Sequence, residues 1–249
     1  MTYCLGLLLD EGLVMASDSR TNAGVDQIAK VRKMAIFEQP GERVIVVLSA
    51  GNLGTTQAVV TLMRQRLNSG QEGGDLYAAR TMFDVARVVG TVMREVLAYD
   101  GEHVRAFGDP SASFLVGGQI AGDTPRLFQI YSAGNFIEAS ARSPLLQIGE
   151  TKYGKPILDR TISTETTLDT AAKLSLLSFD ATIRSNLSVD GPIDLIRYRA
   201  GSLTADNVSK YRKDAPYWVS LREGYSDGLM AVIDGLPNPP GPDGPQTGE

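Results

Sequence analysis

The first fifty residues alternate between short apolar runs and turn-forming clusters. Residues 2–9 are almost wholly apolar and stop at Asp10-Glu11-Gly12, a strand followed by a turn signal. Residues 13–18 supply the second arm of a hairpin. Residues 31–37 and 43–50 flank Gln39-Pro40-Gly41 and predict another. Val44 to Leu48 is apolar at every position, the pattern of a strand covered on both faces. Helical spacing then takes over. Val59, Leu62, Met63 and Leu67 mark a helix over 52–68. Met82, Val85, Val89, Val92 and Val96 recur at intervals of three and four in a second helix over 76–98, with Asp75 placed as its N-cap. Strands are expected at 112–120, 126–132 and 136–141. A helix follows over 168–185, led by Thr166 and Asp169 at capping-box spacing. Strands close the chain near 193–199, 216–222 and 229–233. Residues 236–249 are rich in Pro and Gly and are expected to be extended or disordered.

The order lacks regular βαβ alternation. It argues for an α+β domain in layers, two sheets face to face with helices outside, rather than a doubly wound parallel sheet. No internal repeat or interior linker interrupts residues 1–235, so one domain is expected there.

Composition narrows the chemistry. The 249 residues carry a net charge of −5, which gives no footprint for nucleic acid or an anionic membrane. No apolar run reaches the roughly 18 residues of a membrane span. The N-terminus lacks a basic leader, so no signal peptide is expected. A single cysteine, Cys4, rules out an intrachain disulfide and fits a cytoplasmic setting. The single histidine, His103, excludes multi-histidine metal sites and, with one cysteine, ordinary Cys/His zinc sites, and the threonine chemistry open to the chain needs no metal and no organic cofactor.

One residue offers chemistry without histidine. Thr2 follows the initiator methionine, and trimming of Met1 would leave an α-amine and a hydroxyl on the same residue. That amine, with an ordinary pKa near 7.7–8.0, can accept the hydroxyl proton directly or through one water. Counting outward from the turn at 10–12 sets residue 2 opposite residue 19 or 20, so Asp18 falls close to Thr2. Asp18 could equally cap a turn. Alternation lets only one of Arg32 and Lys33 point toward the threonine, and spacing alone leaves that choice open. A lysine there would lower the hydroxyl pKa and need Asp18 as counter-ion once desolvated. Gly51, in Ser49-Ala50-Gly51-Asn52, sits at a strand–helix junction where free N–H groups can stabilise an oxyanion.

Taken together, Thr2, the Gly-Leu-Val-Met-Ala-Ser-Asp-Ser-Arg segment ending at Asp18 and Arg20, Lys33 and Ser-Ala-Gly at 49–51 resemble the proteasome β-subunit family of N-terminal-nucleophile hydrolases. The start of the chain and Asp-Ser-Arg-Thr-Asn-Ala-Gly-Val-Asp-Gln resemble the bacterial Anbu (ancestral β-subunit) branch. The resemblance covers most of the chain. It implies a four-layer αββα sandwich with the nucleophile between the sheets. It also implies Thr2 as nucleophile, Asp18 and Lys33 as activating residues, Gly51 as oxyanion donor and Arg20 as a site-structuring residue. Thr21, Val31, Ala35, Ser49 and Leu53 would line the pocket, a set that suggests a neutral or hydrophobic preference. It implies a threonine-type peptidase acting on peptide or protein, assembled as a large homo-oligomer, with no nucleic-acid or membrane partner.

Two positions depart from proteolytic relatives. Glu150 stands after Gly149 where those relatives have a serine, and Asn186-Leu187-Ser188 replaces an Asp-x-x-Ser, with Ser188 as a shifted substitute. Two rivals follow: an amidase or acyl-transfer enzyme confined to small amides, and a catalytically silent scaffold subunit.

Overall fold

The computed structural model describes residues 2–23, 27–71 and 73–239; Met1 and residues 240–249 lie outside them. The chain runs β1 (Tyr3–Leu9), β2 (Gly12–Ser17), β3 (Arg20–Ala23), β4 (Gln27–Lys30), β5 (Met34–Gln39), β6 (Arg43–Gly51), α1 (Leu53–Gln65) and α2 (Met82–Arg105). It continues with β7 (Ala112–Ile120), β8 (Arg126–Ile130), β9 (Phe136–Glu138), β10 (Leu145–Gly149), α3 (Lys155–Thr161) and α4 (Leu168–Ser185). It ends with β11 (Ile193–Arg199), β12 (Val208–Tyr211) and α5 (Pro216–Asp234).

Two five-stranded antiparallel sheets result, in the orders β10-β1-β2-β11-β12 and β5-β6-β7-β8-β9, with β3-β4 as a separate ribbon. Strand alternation decides what each sheet touches. Along β6, Val44, Val46 and Leu48 enter the core between the sheets, with Cys4, Leu13, Met15 and Leu115. The intervening Ile45 and Val47 face the opposite way, into a core built with Val85, Val89 and Val92 of α2. Tyr3, Leu5 and Leu7 of β1 alternate with Cys4 in the same fashion and pack beneath α4 on Leu176 and Phe179. The layers are therefore helix, sheet, sheet, helix: the αββα sandwich of the α+β class. Continuous apolar runs such as 44–48 follow from burial on both faces.

Several elements differ from the sequence expectation. Asp75 does not cap α2. It accepts from the amides of Gly70 and Tyr77 and organises the preceding loop, while Thr81 accepts the amide of Asp84 as the N-cap. Thr167, not Thr166, caps α4 by accepting from Thr170. The strand expected over 31–37 begins only at Met34. The strands expected at 216–222 and 229–233 are one helix, α5. Pro216 suits its first turn, Trp218 is buried with Leu221 against the α4-side core, and Arg222 reaches Asp180 of α4. Strand β10 and helix α3 carry no clear periodicity over their short lengths and escaped sequence reading.

Candidate active site

The β1–β2 hairpin pairs Cys4 with Ser17, so Tyr3 faces Asp18 and Thr2 faces Ser19, within the register counted from the turn. Tyr3 and Asp18 bind each other through Asp18 N–H to Tyr3 O (3.1 Å) and Tyr3 N–H to Asp18 Oδ1 (3.0 Å). On the other edge of β1, Tyr3 pairs with Gly149, and the Glu150 amide donates to Thr2 O at 2.7 Å. The peptide linking Thr2 to Tyr3 thus has both polar atoms tied down, its carbonyl to Glu150 and its N–H to Asp18. That fixes the residue carrying the hydroxyl. Gly149 adopts φ +83°, and a Cβ there would lie 2.0 Å from Thr2 O, so only glycine lets the chain close on Thr2.

Lys33 precedes β5 and is held through its own backbone: the Ser49 amide of β6 donates to Lys33 O at 3.1 Å. Its side chain is buried, and Nζ donates to Asp18 Oδ1 at 2.7 Å and to Arg20 O. Arg32 is exposed, so the pair left open by alternation resolves in favour of Lys33 as the buried cation. Asp18 is fully buried and also accepts the Arg20 amide at 3.2 Å. Burial pushes its carboxyl above the ordinary carboxylate range, while Lys33 and the two amides pull it back. Arg20 reaches Asp190 at 3.6 Å, bridging the end of β2 to the segment before β11.

Gly51 ends β6 with φ +110°, and a Cβ there would lie 2.4 Å from Ser111 O. In the β6–β7 ladder Asn52 N–H points to Ser111 O, whereas Ser49 N–H points the other way, to Lys33 O. Two residues on from Ser49, the Gly51 N–H also faces the β5 side, where Met34 has already begun that strand. It therefore opens toward the cleft.

That cleft has a volume of about 400 Å³. Thr2 lines it together with Lys33 and Gly51, and so do the five expected pocket residues Thr21, Val31, Ala35, Ser49 and Leu53. Asp18 and Arg20 lie behind Lys33 rather than in the wall. Of the wall contributed by α1, sequence reading named Leu53 alone. Leu53, Gln57, Val60 and Arg64 recur at spacings of four, three and four, flanked by Thr56 and Thr61, and Arg32, Met34 and Ala50 complete the lining. The helical stripe starting at Leu53 was the signal that could have revealed them.

The two departures prove to be one contact. Asn186, at the end of α4, donates Nδ2 to Glu150 Oε2 at 3.1 Å, both residues being buried. The amide of Ser188 binds Asn186 Oδ1 at 2.9 Å. His103 is exposed on the last turn of α2, and Cys4 is buried in the inter-sheet core with its thiol pushed up by that burial and by Asp18. Among the described residues no group of three or more His, Cys, Asp or Glu could hold a metal ion. No helix among them is long and apolar enough to cross a membrane.

An αββα sandwich with a cleft at the start of its first strand, a buried Lys–Asp pair and a glycine amide facing that cleft is the proteasome-type N-terminal-nucleophile fold. A family model for proteasome subunits matches residues 2–195, and the chain belongs to that family. It is similar throughout to Anbu (ancestral beta-subunit) from Yersinia bercovieri, with 45% identity and TM-score 0.90 over 96% of this chain and 99% of the other. The helical assembly of the Anbu complex from Pseudomonas aeruginosa gives 47% identity and TM-score 0.91, covering 96% and 98%. A Gly-1 mutant of Anbu from Hyphomicrobium sp. strain MC1 gives 46% and 0.90, covering 97% and 100%. Comparison with curated proteins gives no match.

Proposed function

We propose that the chain is a threonine-type amidohydrolase subunit that cleaves peptide bonds with Thr2, once Met1 has been removed. The observation that supports this most is the clamped Thr2 peptide in a cleft shared with Lys33, whose Nζ lies 2.7 Å from Asp18 Oδ1. The Thr2 hydroxyl gives its proton to its own α-amine, directly or through a water, and Oγ1 attacks the substrate carbonyl carbon. Lys33, held by Asp18, stabilises the developing alkoxide by charge. The Gly51 N–H donates to the tetrahedral oxyanion. Collapse expels the amine of the leaving peptide, which takes its proton from the Thr2 ammonium and leaves an ester on Oγ1. The regenerated amine then deprotonates water, which hydrolyses the ester. Arg20 holds the Asp18 end of the site in place through Asp190.

Intact mass must show loss of Met1, and an electrophilic N-terminal-threonine probe must add one equivalent to the mature chain and none to Thr2→Ala. A mature chain that stays unlabelled under conditions that label a proteasome would overturn the hydrolase and leave the scaffold reading.

The subunit self-assembles in this reading, as does the Anbu complex from Pseudomonas aeruginosa, a helical assembly whose chain this one matches over 98% of its length. The end of α5 supports it. Met230, Val232 and Ile233 are each more than half exposed, and Leu229 and Leu236 extend the same apolar surface. A second copy covering that surface predicts that Met230→Glu/Ile233→Glu shifts the protein to smaller species in sedimentation velocity. An unchanged distribution would remove α5 from the interface.

A further inference from the structure

The lining of the cleft is electrically one-sided. It contains three cations, Arg32, Lys33 and Arg64, and no aspartate or glutamate. Lys33 is buried, paired with Asp18 and committed to the nucleophile, which leaves Arg32 and Arg64 as the cations open to a substrate side chain. Arg32 and Arg64 are exposed and make no ion pair among the described residues, whereas Arg66, two residues beyond Arg64, forks onto Glu95. Arg32 sits on the rim beside Lys33. Arg64 lies on the facing wall in the last turn of α1. Helical side chains lean toward the N-terminus, which carries the Arg64 guanidinium back along the cleft toward Leu53 and the nucleophile end. Between the two cations the wall offers the hydroxyls and amide of Thr56, Thr61 and Gln57, groups that hydrogen-bond a carboxylate without repelling it.

Resting on the peptidase reading, we propose that this cleft selects substrates whose acyl side carries a carboxylate, with Arg64 and Arg32 as the specificity-determining residues. An acidic side chain entering the cleft meets two unpaired guanidiniums and no opposing anion. The uncharged isostere meets the same shape without that attraction. This departs from the neutral or hydrophobic preference suggested by Thr21, Val31, Ala35, Ser49 and Leu53, because those five residues form only the wall near Thr2.

The test uses the mature oligomer and matched pairs of electrophilic peptide probes that differ only in Glu against Gln, placed in turn at the residue bearing the reactive carbonyl and at each of the two residues before it. At its best position the Glu probe is expected to label Thr2 about three- to tenfold faster, the size expected for pairing with one or two exposed cations. The ratio should fall toward one in Arg32→Gln/Arg64→Gln, invert in Arg64→Glu, and shrink as salt rises from 50 to 500 mM in the assay buffer. Equal rates for Glu and Gln at every position, or a ratio that survives the double substitution, would overturn the proposal while leaving Thr2 chemistry intact. If no probe labels, the hydrolase reading fails, and fluorescence anisotropy with the corresponding Glu and Gln peptides still decides: tighter, Arg64-dependent binding of the Glu peptide upholds the acid-selecting cleft, and equal binding ends it.

Discussion

Removing the Asp18 carboxylate should damage the protein more than any other single change at the site. Asp18 is fully buried and the Lys33 side chain is 6% exposed, so Asp18→Ala strands an ammonium in the interior with only Arg20 O among its described partners. The Tyr3 and Arg20 amides lose their acceptor at the same time. Breaking a buried ion pair from one side costs about 3–5 kcal/mol, which for a chain of this length lowers the melting temperature by about 6–20 °C. Lys33→Met is the milder half, because the carboxyl left behind can take up a proton. The sign follows from its direction of shift. Burial raises Asp18 above the ordinary 3.8, so its contribution is present below that value and is lost as pH rises through the folded pKa. Without Lys33 the folded value moves further up, so the loss in Lys33→Met should be smaller at pH 5 than at pH 8. Asp18→Asn/Lys33→Met, which removes both charges and keeps an acceptor for Tyr3, should be at least about 2 kcal/mol more stable than the summed effects of Asp18→Asn and Lys33→Met. Melts of the intact oligomer followed by circular dichroism at the two pH values measure all of this. An Asp18→Ala protein melting within about 2 °C of the parent, or a Lys33→Met loss independent of pH, would refute the buried pair as described.

Other consequences can be checked more simply. Gly51→Ala puts a Cβ 2.4 Å from Ser111 O at φ +110°, so it should cost about 1–3 kcal/mol of stability and, by displacing the oxyanion amide, lower kcat by about 10²–10³-fold, read from melts and single-turnover assays. If the Thr2 α-amine is the base, the rate of probe labelling should rise with pH to a plateau as that amine loses its proton, the Lys33 cation in the same cleft holding the midpoint below the ordinary value of about 7.7–8.0; a flat profile between pH 6 and 9 would exclude it. Cys4 is buried with its thiol pushed up by that burial, so a thiol reagent at pH 8 should react with the native protein at least about a hundredfold more slowly than with the urea-unfolded chain, measured by absorbance of the released thiolate.

The fold was legible wherever local pattern and tertiary environment agree. Residues 112–120 and 168–185 coincide with β7 and α4, because each carries enough apolar positions at one period to leave no second reading. Legibility fails where the pattern is short or the segment is only partly buried. Residues 145–149 of β10 bury only Leu146 and Ile148, and their strand character comes from pairing with β1 across more than 130 residues of sequence. The end of α5 fails for another reason. Leu229, Met230, Val232 and Ile233 form a β-like apolar run, yet no sheet edge among the described residues receives it, and the run continues a helix already started at Pro216. A run apolar on all sides has no period to read.

At the site, the sequence could reveal what register controls and not what distant elements bring in. A two-stranded hairpin with a short turn has few registers, so the nearness of Asp18 to residue 2 followed from counting. Lys33 against Arg32 could not be settled that way, because both precede β5 in irregular backbone, where alternation has no hold. The contact between Glu150 and Asn186 was harder still, since each residue taken singly looked like the loss of a helpful group. Together they satisfy one another: a carboxylate that would be an unpaired burden at 6% exposure accepts the Asn186 amide and the Lys152 N–H, while its own backbone N–H fixes Thr2 O. The pair therefore leaves a satisfied polar contact, rather than a lost one, beside the strand partner of Thr2. The clamp on Thr2 O runs through the backbone N–H of Glu150, so it holds Thr2 whatever side chain stands at that position, while the Glu150 carboxylate is engaged by Asn186 and Lys152.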